Sequence, residues 1–95
     1  MFQGTTTKLS ESKQAATATI SVKTDIVVVT GTGPINKIIP NFGGGNFSGF
    51  VILVPLTAGL VLGTSDNILT GITTSNAVLL VYVKSLTKWV ILGAL

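Results

Sequence analysis

The sequence predicts a small all-β domain, and three observations support that fold class. Val, Ile and Thr supply 34 of the 95 residues, and these β-branched side chains fit a pleated sheet better than a helix. Gly, Pro, Asn, Asp or Ser separates most of the short apolar runs from one another. Short strands divided in this way are typical of a small sandwich, a barrel or an intertwined β-oligomer.

The chain divides into a polar N-terminal segment and a β domain. Residues 1–15 are rich in Thr, Ser, Gln and Lys and have no spaced apolar face. We expect them to form an extended arm, either loose or ordered on a neighbouring subunit. Residues 16–95 are expected to form one β domain, with candidate strands at 17–23, 25–30, 35–39, 49–54, 60–62, 67–72, 77–83 and 88–92.

Two glycine-rich turns punctuate these strands. In Gly31-Thr32-Gly33-Pro34 the glycines permit positive φ and the proline fixes its own φ, so the chain is expected to turn there. The triple glycine at 43–45 predicts a second turn before the strand at 49–54.

Hydrophobic alternation predicts which strand faces are covered. Residues 17–23 alternate between apolar and polar, as a half-buried strand does. Residues 51–54 and 78–81 do not alternate, so both of their faces should be covered, the second by another chain. The predicted shared core of the oligomer is Val51, Leu53, Leu79, Val81 and Trp89. Asn67 is expected to be a buried polar residue that satisfies backbone groups of a turn.

Composition argues against most enzymatic chemistry and favours self-association. Hydrophobic residues make up 46% of the chain and charged residues 9%, and Cys and His are absent. Thiolate, imidazole and disulfide chemistry are therefore excluded, and we expect no catalytic, cofactor-binding or metal-ligating residues. The net charge of +3 comes from scattered lysines without arginine, which argues against nucleic-acid binding. A small domain of this kind gains stability by oligomerisation.

A membrane protein is the competing class. Residues 38–65 carry no charge, and residues 50–62 are almost wholly apolar. A membrane-spanning helix needs about 20 apolar residues, whereas this stretch is shorter and contains Pro55, Thr57 and Gly59. We therefore expect no membrane insertion.

An ordered set of short motifs carries a family resemblance. These motifs are Ile26-Val27-Val28-Val29-Thr30-Gly31-Thr32, Ile35 and Ile38, a glycine-rich turn, Phe50-Val51-Ile52-Leu53-Val54-Pro55, Asn67-Ile68, Ala77-Val78-Leu79-Leu80-Val81-Tyr82 and Lys88-Trp89-Val90. Across residues 19–91 the chain resembles β modules found in virion proteins of tailed bacteriophages, namely head fibres, capsid decoration proteins and tail fibres.

The resemblance implies a trimeric β structure on the outside of a virus particle. It transfers no catalytic residue to this sequence. Because no stalk or receptor-binding head follows the module, we expect a capsid decoration or cement protein on the capsid surface. A tail-fibre or baseplate component is the first alternative, and a small membrane-active phage protein is the second. The expected partners are further copies of the chain, as a homotrimer, and a major capsid protein.

Two segments are the candidates for attachment to the capsid. The N-terminal arm carries Lys8 and Lys13, which are suited to an acidic protein surface. The loop around the triple glycine carries Phe42 and Phe47, which are suited to an apolar contact.

Overall fold

In the computed structural model, residues 9–40, 48–56 and 59–95 are described, and they form an all-β fold. The strands are β1 (Glu11–Ala15), β2 (Thr19–Val22), β3 (Ile26–Thr30), β4 (Lys37–Pro40), β5 (Gly49–Pro55), β6 (Leu60–Leu62), β7 (Ile72–Thr74), β8 (Val78–Val83) and β9 (Lys88–Ala94). The predicted all-β fold class is confirmed.

The largest element is a mixed five-stranded sheet in the order β1-β3-β5-β8-β9. Its first three strands are parallel, whereas β5, β8 and β9 are antiparallel neighbours. The turn at residues 84–87 joins β8 to β9, and Thr87 reaches a φ of 52° there. The register of β8 and β9 shifts between Leu79 and Leu80, which places a bulge at the edge of the sheet.

A second layer is built from two ribbons. β2 and β4 pair in parallel, and β6 and β7 pair as antiparallel strands. Ile35 connects the two ribbons, because its amide donates to Val61 O at 2.8 Å and its carbonyl accepts from Gly63 N at 2.8 Å. An isolated pair of strands is marginally stable, so this bridge and the packing on the large sheet support both ribbons.

Polar side chains join β1 of the large sheet to β2 of the second layer. The Gln14 amide group donates to Ser21 O and accepts from Ser21 N at 3.3 Å. Ser12 and Thr24 share a hydroxyl hydrogen bond of 2.8 Å. Together with the Ser10–Asp25 contact described below, these contacts form a seam made of side chains, and we call it the β1–β2 seam.

A second seam joins β4 to the opposite edge of the large sheet. Asn67 Nδ2 donates to Ile38 O at 2.7 Å, and Asn67 Oδ1 accepts from Ile38 N at 2.9 Å. The backbone on either side of Ile68 also pairs with Trp89, through Trp89 N to Asn67 O at 2.7 Å and Leu69 N to Trp89 O at 2.9 Å. The two seams together link the layers along opposite edges of the large sheet.

One hydrophobic cluster fills the space between the two layers. The large sheet contributes alternate residues of β3, β5, β8 and β9, and the second layer contributes its inward-facing aliphatic side chains. Trp89 is fully buried, donates Nε1–H to Ile38 O at 2.9 Å, and lies with its ring centroid 5.3 Å from that of Tyr82. Among the described residues, every buried side-chain nitrogen or oxygen has a hydrogen-bond partner.

Several predicted element boundaries need correction. Residues 11–15, assigned to the N-terminal arm, form strand β1 of the large sheet, while residues 1–8 lie outside the described part. The predicted strand at 67–72 is reduced to a bridge at Ile68, and the strand that follows is β7. Asn67 is partly buried and satisfies strand β4 rather than a turn. Backbone groups of Asn67 and Leu69 pair with Trp89 at the second seam. Local sequence patterns do not reveal this long-range pairing.

The predicted turn at 31–34 needs its two glycines for different reasons. Gly31 has a φ of 84°, which side-chain-bearing residues rarely adopt. Gly33 is required by a close approach, because a Cβ there would lie 2.5 Å from Ala16 O. The triple-glycine turn at 43–45 lies outside the described residues.

The β1–β2 seam leads to a testable prediction. Replacing Gln14 with alanine should lower the free energy of unfolding by about 1–2 kcal/mol, because it removes two hydrogen bonds to the backbone of β2. Lys13→Ala is the matched control, since Lys13 is exposed on the same strand, and it should change stability by less than about 0.5 kcal/mol. Urea denaturation followed by circular dichroism measures both. Equal effects would contradict the assigned role of Gln14.

Candidate interaction surface

The five-stranded sheet has an apolar face turned away from the core. Strand alternation places half of the side chains of β3, β5, β8 and β9 on that side. We define the outer face as Ile26, Val28, Phe50, Ile52, Val54, Leu79, Val81, Val83 and Val90.

The register of the strands brings these residues into contiguous rows. Ile52 lies opposite Ile26 on one side and Leu79 on the other. Phe50 lies opposite Val81, which in turn lies opposite Val90. Ile52 and Leu79 therefore occupy the middle of the outer face.

The described part of the chain does not cover the outer face. Its aliphatic residues are half-buried by their neighbours in the sheet, and Phe50 is 64% exposed. Charges appear only at its margins: Glu11 and Lys13 on β1, and Lys88 on β9. Lys88 Nζ donates to Asp66 O at 3.0 Å. The centre of the face is thus free of charge.

The opposite side of the molecule is more polar. Thr19, Ser21 and Lys37 point outward from β2 and β4, and Thr73 points outward from β7. Ile39 of β4 is a large apolar side chain on this side, at 42% exposed. The molecule therefore has one side suited to water and one suited to an apolar partner.

The five residues predicted to form the oligomer core lie on different faces of the sheet. Val51, Leu53 and Trp89 are at most 1% exposed in the single chain, so they have no side-chain surface left to offer another subunit. They belong to the subunit's own core, which corrects that part of the prediction. Leu79 and Val81 lie on the outer face, and their role between subunits stays a prediction.

The predicted capsid-attachment residues are only partly described. Lys13 is exposed on β1, with its side chain on the same side of the sheet as Val28. Lys8, Phe42 and Phe47 lie outside the described residues. Of the four predicted attachment residues, Lys13 is the one with a described position, at the margin of the outer face.

A shallow cleft of about 100 Å³ lies beside the outer face. Phe50 and Lys23 border it, together with Asp25. The Asp25 carboxylate accepts hydrogen bonds from Ser10 N at 3.1 Å and Ser10 Oγ at 3.2 Å. Asp25 Oδ2 is therefore part of the β1–β2 seam.

Sequence reasoning missed the central outer-face residue Ile52 and its neighbours Ile26 and Phe50. The signal was present, because uninterrupted apolar strands predict that both faces are covered. The sequence does not show which residues of each strand point outward. The run Val51-Ile52-Leu53-Val54 contains no polar residue that marks its outward side, so the prediction names the inner positions Val51 and Leu53.

The fold and this surface define a class of protein: a small β domain with one uncovered apolar sheet face. Comparison with protein-family models, with curated proteins and with solved structures finds no match. The described residues contain no cluster of three or more His, Cys, Asp or Glu side chains that could hold a metal ion. No helix within those same ranges is long and apolar enough to cross a membrane.

Proposed function

We propose that this chain is a non-enzymatic structural protein that self-associates and decorates the capsid of a tailed bacteriophage. The observation that carries the proposal is the uncharged centre of the outer face. Apolar patches of this kind mark sites of protein association. Only 9% of the residues are charged. The chain therefore has few charged side chains that could keep a large exposed face hydrated.

The width of the outer face favours three copies. Four strands spaced about 4.8 Å apart make a strip about 19 Å wide. Three such strips arranged as a triangular prism would each lie about 5.5 Å from the central axis, close to half of the roughly 10 Å that separates packed sheets. The apolar side chains of three copies would therefore fill the prism without a central channel.

The resemblance to phage virion modules supports the biological setting. Its motifs include the sheet strands β3, β5, β8 and β9, which supply the outer face. Lys13, at the margin of that face, remains a candidate for contact with an acidic patch of a major capsid protein. Lys8, Phe42 and Phe47 are candidates from the sequence alone.

Binding to phage particles tests this function. Purified protein that is added to particles assembled without this chain should bind to them. It should also cosediment with isolated heads. Lys13→Glu should weaken that binding by about tenfold, because it reverses the charge at the proposed contact. Thr73→Glu, on the opposite side of the domain, is the control.

Other binding patterns would point to the alternatives. Cosedimentation with isolated tails would replace the decoration role with that of a tail-fibre or baseplate component. Protein that dissolves only with detergent and partitions into lipid vesicles would replace it with a membrane-active role. Absence of binding to any particle fraction would contradict the virion assignment.

A further inference from the structure

We propose that the outer face packs directly against the outer face of a second copy of this chain, with Ile52 and Leu79 at the centre of the contact. This inference rests on the self-association proposed above and assigns it to one surface. The buried face of the same sheet, with Val51 and Leu53, takes no part in it.

The arrangement of side chains on the outer face suits sheet-on-sheet packing. Ile26, Ile52 and Leu79 form one row across three strands. Phe50, Val81 and Val90 form the next row. Two sheets pack about 10 Å apart when aliphatic rows of this kind interdigitate.

The outer face has the size of a functional apolar patch. A strip about 19 Å wide and about five residues long covers roughly 300 Å² before side-chain relief is counted. This lies within the range of about 300–600 Å² for the largest apolar patch on a monomer, which is often functional. Phe50, at 64% exposed, adds a large side chain at the end of the strip.

The distribution of charge favours a second copy over a charged partner. The central residues of the outer face offer nothing that an acidic or basic surface could pair with, whereas an identical apolar face matches them. Glu11 and Lys13 at one margin and Lys88 at the other would remain on the rim, where charged groups keep their water. In the three-copy arrangement proposed above, each outer face meets the outer faces of the other two copies, so the same patch serves every contact.

Single cysteines can test the contact, because the natural chain has none. Ile52→Cys should be joined to a second chain by a bis-maleimide reagent whose spacer spans about 10 Å, the distance between packed sheets. In a trimer, about two thirds of the chains should become covalent dimers, since each linker joins two of three copies. In a dimer, nearly all chains should be joined. Thr73→Cys is the control and should remain unlinked.

A charge variant tests the same surface independently. Ile52→Lys should weaken association by about 100-fold or more, because an unpaired ammonium would be buried in the contact. The variant should keep the circular dichroism spectrum of the parent, since Ile52 lies outside the core. Thr73→Lys introduces the same charge on the other side and should leave the native mass unchanged.

The outcomes separate this inference from the proposed function. If the chain self-associates but Ile52→Cys is not linked and Ile52→Lys keeps the full native mass, the outer face is not the contact and this inference is overturned alone. If the parent chain is a monomer, the proposed self-association fails with it. Linking at Ile52 together with loss of association in Ile52→Lys would support both.

Discussion

Trp89→Ala is expected to lower the free energy of unfolding by about 3–5 kcal/mol. Trp89 is fully buried in the cluster between the two layers, against Tyr82. Its indole N–H also donates to Ile38 O, so the same side chain ties β9 to β4. Domains of this size are stable by about 5–15 kcal/mol, and the variant should therefore be close to unfolding at 37 °C.

Two further variants separate packing from hydrogen bonding at this position. Trp89→Phe keeps an aromatic ring and loses the N–H group, so about 1–2 kcal/mol should be lost. Leu86→Ala is the control, because Leu86 is 51% exposed in the turn before β9. Circular dichroism in urea at fixed protein concentration measures all three without using tryptophan fluorescence. A loss below about 1 kcal/mol for Trp89→Ala would contradict the central position of this residue.

Asn67→Asp should destabilise the protein by about 2–4 kcal/mol at neutral pH and by less in acid. Asn67 both donates to Ile38 O and accepts from Ile38 N. A carboxylate can still accept from the amide, but it places a negative oxygen against the Ile38 carbonyl. A protonated carboxyl group can donate there, as the natural side chain does.

The pH dependence has a definite sign. Because the folded protein disfavours the ionised form, the pKa of the introduced carboxyl group should lie above its unfolded value of about 3.9. The folded variant then binds more protons than the unfolded one above that value, so its stability falls as pH rises. The loss relative to the parent chain should therefore be larger at pH 7 than at pH 4.

Denaturant titrations of Asn67→Asp at the two pH values check this directly. The control is Asn76→Asp, because Asn76 is exposed in the turn between β7 and β8. The control should show nearly the same small effect at both pH values. An Asn67→Asp penalty that does not change with pH would mean that the Ile38 carbonyl does not face this side chain.

The strands with apolar residues could be predicted from sequence, and the polar ones could not. β3, β5, β8 and β9 follow from runs of Val, Ile and Leu bounded by turn residues. β1 has the sequence Glu-Ser-Lys-Gln-Ala and no buried residue. It is a strand because its backbone pairs with β3 and its side chains bond β2. Both partners lie later in the sequence, so the local pattern of residues 11–15 does not reveal them.

The candidate surface was predictable in kind but not in its residues. Uninterrupted apolar strands indicate that a second face needs a cover, and Leu79 and Val81 are on the face concerned. Whether Val51 or Ile52 points outward depends on how β5 registers with β3 and β8, which is set by long-range pairing. The seam residues Gln14 and Asn67 were inaccessible for the same reason, since their partners lie on other strands.

Native mass in detergent-free buffer is the most direct test of the account. Sedimentation or light scattering of the purified chain should give a soluble species near three times 9.8 kDa, which Ile52→Lys converts to a species near one times that mass. A stable monomer of the parent chain at micromolar concentration would contradict the account, because the outer face would then be compatible with water and need no partner.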